Sequence, residues 1–138
     1  MPYPISKLWS HEYPSIKMDL HRCLTEALAA TGSRDSIPVY FRADDVAVPG
    51  KQFRKLVDVF SRYQVPLSMS VVPTWLTVNR WKSIDRLCRN NSDLWCFYQH
   101  GWRQMNHEPI GKKQEFGPAR PIADIEHDLV RGRERLTS

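Results

Sequence analysis

The sequence contains no uninterrupted apolar run longer than five residues, and the longest is Leu94 to Tyr98. A membrane-spanning helix needs about 20 such residues, so neither a spanning segment nor a membrane partner is expected. The opening residues, Met1-Pro-Tyr-Pro-Ile-Ser-Lys7, lack the apolar stretch of a secretion signal, which leaves the cytoplasm as the expected location. Cysteine is scarce. Cys23, Cys88 and Cys96 are odd in number and widely spaced, which excludes a Cys-x-x-Cys metal pattern and a paired disulfide framework. All three are expected to be reduced thiols packed as small hydrophobes in the core. Internal repeats and low-complexity segments are also missing. With 41% hydrophobic and 25% charged residues over 138 positions, the chain has the composition of one ordinary folded domain. The net charge of +5 is scattered, apart from Lys112-Lys113 and Arg131, Arg133 and Arg135. No nucleic-acid module accompanies it, so nucleic acid is not an expected partner, and the three late arginines read as a solvated helix face.

What is present is an alternation of periods. Ile16, Leu20, Cys23, Leu24, Ala27 and Leu28 recur at helical spacing, with Gly32 just beyond as a stop. Ile37-Pro-Val-Tyr-Phe-Arg42 reads as a buried strand, ending where Asp44 and Asp45 stand. Pro49-Gly50 breaks the chain before a second helix, whose inner face is Phe53, Leu56, Val57, Phe60 and Tyr63. A strand over 66–72 follows, closed by Pro73, and then a helix over 78–89 with Trp81, Ile84, Leu87 and Cys88 turned inward. The third strand, Leu94-Trp-Cys-Phe-Tyr98, runs into Gln99-His100-Gly101. A polar loop extends to Pro121, and a last helix starts near Ile122. Strand and helix in alternation imply an α/β fold with parallel strands joined by right-handed crossovers. Residues 1–36 are expected to form an N-terminal helical extension and 37–138 the α/β domain.

In such folds chemistry gathers at the carboxyl ends of the strands, where the two most reactive stretches of this sequence fall. Asp44-Asp45 leaves the first strand, and adjacent carboxylates there point in different directions. One can then hold a metal while the other moves a proton. The stretch from Gln99 to His107 packs His100, His107, Trp102, Gln104 and Asn106 into nine residues beyond the third strand. Imidazole is a preferred ligand of zinc and related divalent ions. Gly101 allows close backbone approach, and Trp102 suits an apolar wall or a sugar-stacking surface. His11, His21 and His127 read as ordinary surface residues.

These residues resemble the polysaccharide deacetylase family, also called the NodB-homology domain. Its strand-terminal Thr-Phe-Asp-Asp-Gly is similar to Arg42-Ala-Asp-Asp-Val46, and its His-Ser/Thr-x-x-His is similar to the stretch from His100 to Gln104. A longer run found in one branch of the family resembles Gln99-His-Gly-Trp102, Asn106-His107 and Lys112-Lys-Gln-Glu-Phe-Gly117. The resemblance implies a partial (β/α) barrel and a metal-dependent hydrolase that removes acetyl groups from N-acetylated sugars. By that likeness Asp44 is the general base, Asp45 and His100 ligate a divalent metal, in most members zinc, and Trp102, Asn106 and Glu115 lie on the substrate side.

The sequence departs from the family pattern at Gln104, which stands where the second motif histidine belongs, and at Val46, which stands where the glycine belongs. A neutral amide is a poorer zinc ligand than imidazole, so Gln104 and His107 are both candidates for the remaining ligand. A complete barrel of this kind needs about 250 residues, so the chain is expected to be the N-terminal half, an open sheet whose edge invites self-association. Two readings therefore stand: a deacetylase or related carbon–nitrogen hydrolase, truncated or paired with a missing half, or a catalytically inactive fragment that binds carbohydrate or protein.

Overall fold

The structure is a computed structural model that describes residues 15–32 and 38–138. The chain divides between Val39 and Tyr40 into two compact units. In the first, helix α1 spans Ile16–Ala30 and ends at Thr31, whose hydroxyl donates to Leu28 O. No residue of α1 is buried, and Ile16, Leu20, Leu24 and Leu28 are all exposed. His21 is exposed there too, while His11 lies outside the described residues.

In the second unit the order is β1 (Arg42–Val46), α2 (Lys51–Tyr63), β2 (Leu67–Val71), α3 (Val78–Cys88), β3 (Trp95–Gln99) and α4 (Ile122–Thr137), with short 3-10 turns after β2 and α3. The sheet is parallel with strand order β1-β2-β3, and it is open among the described residues. Strand alternation sorts its two faces. Leu67, Met69 and Val71 of β2 face the helices, where they form one core with Val46, Phe53, Val57, Ile84 and Cys88. Arg42, Asp44, Ser68, Ser70, Cys96 and Tyr98 alternate onto the other face.

The helices form for readable reasons. Phe53, Leu56, Val57 and Phe60 bring the apolar stripe of α2 onto the sheet, and the helix stops where Gln64 turns left-handed at φ 53°. Thr77 caps α3 by accepting from the Arg80 N–H at 3.3 Å. Trp81 meets Phe97 edge-on, with ring centroids 5.2 Å apart. Gly132 gives α4 its close approach to β3, because a Cβ there would lie 2.1 Å from Gln99 Nε2. That amide donates to Leu129 O and Gly101 O, tying α4 to the loop after β3.

Several expectations are corrected, among them Trp81, which is exposed on α3 instead of turned inward. The first strand begins at Arg42, and Val39, Tyr40 and Phe41 before it are exposed rather than buried. The reason is register: Arg42 pairs with Ser68, Phe41 O still accepts from the Ser68 N–H, and β2 begins at Leu67, so Val39 and Tyr40 lie beyond its first residue. Asp44 and Asp45 consequently lie within β1 instead of after it. Tyr63 is exposed at the last turn of α2, past the reach of the sheet.

The late arginines are not simply solvated. Arg131 lies over the Trp102 ring at 4.9 Å, and Arg135 donates to the Pro73 and Leu76 carbonyls, which the turn after β2 leaves without strand partners. Of the cysteines only Cys88 is in the core; Cys23 and Cys96 are exposed, because α1 buries nothing and Cys96 alternates onto the sheet face opposite the core cluster.

Burial, with a smaller push from Asp85, raises the Cys88 thiol from its ordinary 9.0 to about 11. The neutral thiol's contribution to stability is therefore complete below pH 9.0 and lost as pH rises through about 11. An alkylating reagent at pH ~8 should label Cys23 and Cys96 in the folded chain and Cys88 only after unfolding, because Cys23 and Cys96 are exposed while Cys88 is buried and held neutral. Mass spectrometry of the labelled peptides checks this.

Candidate functional site

A β-bulge shapes the end of β1. Ala43 pairs with Met69 and Val46 with Val71, so three steps on β1 match two on β2. The extra residue re-aims the side chains around it. Asp45 takes a left-handed backbone at φ 60°, a conformation Asp tolerates better than most residues. Val46 fills the core.

The two carboxylates end in separate environments. Asp44 Oδ1 accepts from Ser70 Oγ at 2.7 Å, and Oδ2 accepts from Arg42 Nη2 at 2.8 Å. Partial burial would raise its carboxyl, but the Ser70 and Arg42 hydrogen bonds, the Arg42 charge and the nearby His100 together hold it below the ordinary 3.8. Asp44 is therefore ionised at neutral pH.

Asp45 looks the other way. Its Oδ1 lies 3.3 Å from His100 Nε2 and accepts from Gln104 Nε2 at 2.7 Å. His100 is placed by the sheet, since its N–H donates to Val71 O at 2.7 Å and continues the ladder one residue beyond β3. A carboxylate from β1 and an imidazole from β3 thus converge at the carboxyl end of the sheet, 55 residues apart in sequence (100 − 45).

The loop after His100 is held by a side chain that periodicity alone does not reveal. The Glu115 carboxylate accepts from the backbone N–H groups of Trp102, Arg103 and Gln104, at 3.2, 2.6 and 3.1 Å. This carries Gln104, at φ 60°, toward Asp45. Gly101 is required at the turn: its φ is +60°, and a Cβ there would sit 2.0 Å from Glu115 Oε2. Asn106 braces the same loop by accepting from the Glu108 and Gln114 N–H groups and donating to Glu108 O. Glu115 and Asn106 thus spend their polar atoms on backbone. Arg120, in an ion pair with Asp128 at 2.8 Å, anchors the loop's end to α4.

Trp102 is buried, 5% exposed, with Arg103 and Arg131 near its ring and its Nε1 without a partner. It acts as the loop's apolar anchor and presents no open stacking face. His107 and His127 are exposed. His107 is tied by its backbone N–H to Gln114 O and does not join Asp45 and His100.

Asp45 and His100 suit a divalent ion as two of its ligands, one hard oxygen and one imidazole nitrogen. Among the described residues no group of three or more His, Cys, Asp or Glu side chains is arranged to hold a metal. No three-ligand zinc cage is therefore built among the described residues, and Gln104 donates a side-chain N–H to Asp45. A shallow cavity of about 420 Å³ lies beside the acidic pair, lined by Ala43 to Val48, Gln52, Phe53 and Leu56. A larger one of about 570 Å³, between α3, β3 and α4, contains none of the site residues.

Sequence spacing did not reveal Arg42 as a partner of Asp44, because the expected strand stopped at Arg42; only the observed strand, Arg42–Val46, puts the two on one face. Ser70 carried no sequence signal, while Gln99 and Glu115 were marked only by the family resemblance, which put Glu115 on the substrate side and not at the backbone of the loop. No family model, curated protein or solved structure matches the chain.

Proposed function

We propose that the second unit carries part of a metal-assisted hydrolase site acting on the carbon–nitrogen bond of N-acetylated sugars, on a partial barrel of the polysaccharide deacetylase type. The observation that carries this reading is the 3.3 Å approach of Asp45 Oδ1 and His100 Nε2 at the carboxyl end of a parallel sheet. Asp45 and His100 are the residues that hold the ion. When bound, a divalent ion supplies a Lewis acid that polarises the acetamide carbonyl and acidifies water. Asp44, kept ionised beside that pair, accepts the proton of the attacking water. Its depressed pKa makes it a weak base, and only two strong ligands hold the ion. Each missing stabilising group typically costs on the order of 10² or more in rate. Turnover of acetylated chito-oligosaccharides by this chain alone is thus expected to be near background.

The test is divalent-ion binding, measured by calorimetry and by metal content of the purified chain. Weak binding of one ion, lost in His100→Ala and in Asp45→Ala, is the expected result. Gln104→His should tighten it measurably, since imidazole replaces an amide. A chain that binds no divalent ion refutes the reading.

A second reading is favoured by the 2.7 Å bond from Gln104 to Asp45, which satisfies the carboxylate without an ion. In it the chain binds carbohydrate and catalyses nothing. Binding of acetylated chito-oligosaccharides that survives a chelator would select it.

A further inference from the structure

We infer that the outer edge of β3 is a strand-addition site for an extended peptide that carries alternate apolar side chains and an acidic residue. The site lies apart from Asp45 and His100 and is independent of the ion-binding reading.

The edge follows from the register. His100 donates its N–H to Val71 O at 2.7 Å, so its backbone faces β2. Peptide groups alternate in direction along a strand. Tyr98 and Cys96 therefore also turn to β2, whereas Phe97 and Gln99 turn away from it. β3 is the last strand of the sheet. Among the described residues nothing hydrogen-bonds the outward N–H and C=O of Phe97 and Gln99. Such a row of unpaired backbone groups is a template for another extended chain.

The two edges of the sheet differ. β1 carries Arg42, Asp44 and Asp45 and a bulge between Ala43 and Val46, features that discourage pairing. β3, Trp95-Cys-Phe-Tyr-Gln99, has no charge and no proline, and its register with β2 is regular throughout. Of the two, β3 is the edge open to a neighbour.

Beside that edge lies the cavity of about 570 Å³ between α3, β3 and α4. Leu76, Val78, Trp81 and Leu136 line it together with Phe97, and Val78 and Trp81 are exposed. Side chains alternate along a strand, so an added strand sends every second residue into this apolar wall. Arg135 is spent on the Pro73 and Leu76 carbonyls, but Arg133, in the same lining, enters no ion pair among the described residues. An acidic residue of the peptide meets that cation. A small apolar molecule could use the wall, but it would leave the strand edge unpaired, so the backbone groups select a peptide.

The test uses the full chain and a blocked hexapeptide, Val-Thr-Val-Thr-Val-Glu, titrated by calorimetry and by tryptophan fluorescence. Two N-methylated versions block alternate sets of its amides. One is expected to lose affinity by roughly tenfold or more and the other to keep it, since only one set faces β3. Val78→Asp puts a charge into the apolar wall and should weaken binding by roughly tenfold. An acid suits the first turn of α3, so folding is retained, as circular dichroism would verify. Arg133→Gln should weaken the peptide about threefold and leave its glutamine counterpart unchanged. Absence of binding to the unmodified chain, or equal affinity for both N-methylated peptides, would overturn the inference. So would sedimentation showing that the chain alone dimerises and that Val78→Asp abolishes this, because the edge would then belong to a second copy.

Discussion

Gly101→Ala is expected to destabilise the second unit by about 2–4 kcal/mol and to weaken ion binding at Asp45 and His100. Two costs combine. A left-handed backbone at φ +60° costs a residue with a Cβ roughly 1–2 kcal/mol. The new Cβ would also stand 2.0 Å from Glu115 Oε2 and displace the carboxylate from the three N–H groups it satisfies. Hydrogen bonds to charged groups are worth about 1.5–3 kcal/mol each, and water recovers part of that in a half-exposed loop. For a unit of this size each kcal/mol lowers the melting temperature by roughly 4–8 °C, so the loss is readily seen by circular dichroism. A double-mutant cycle identifies the cause. In a Glu115→Ala background the clash has no partner, so the cost of Gly101→Ala should fall toward the backbone component alone. Full additivity would mean that Glu115 does not clasp this loop.

The other large effect is in the core. Ile84 on α3 is fully buried in the cluster that contains Met69 and Val57. Ile84→Ala removes buried methyl groups and leaves a cavity, at a cost of about 2–5 kcal/mol. Set against a total stability of about 5–15 kcal/mol for an ordinary domain, that is enough to leave the chain partly unfolded near 37 °C. Val78→Ala is the control on the same helix. Val78 is 70% exposed, so the change should stay within about 0.5 kcal/mol. Denaturant melts of the two variants check the contrast. Similar losses in both would mean that the inward face of α3 is misassigned.

The contrast between these two positions also shows how far the sequence reaches. Helical spacing identified α2, α3 and α4, and it put Ile84 and Cys88 on an inner face while leaving Tyr63 on the wrong side. Spacing reports which residues share a stripe but not where the sheet beneath the stripe ends. The first strand was placed early for a related reason. Val39-Tyr-Phe is apolar enough for a strand, yet a strand exists only where a neighbour supplies hydrogen bonds, and β2 begins at Leu67, one residue before the Ser68 that pairs with Arg42.

For the site, the position of Asp44, Asp45 and His100 at one end of a parallel sheet followed from sequence alone. Alternating periods fix the order of strands and helices, and right-handed crossovers bring successive carboxyl ends to one side. The partners of those residues did not follow. Ser70 reaches Asp44 across 26 residues, and Gln104 reaches Asp45 across 59. Glu115 folds back on a loop whose path no periodicity describes, and Trp102, which reads equally well as a sugar platform, is buried by Arg131 from a helix that comes later in the chain. Such pairings depend on register, on a single-residue bulge and on loop geometry. These are set by the sum of many weak contacts over the whole unit, so only the tertiary structure decided them. What the sequence determined by itself was the alternation of elements and the end of the sheet where its acids and imidazole gather, because both depend on local periodicity and chain handedness.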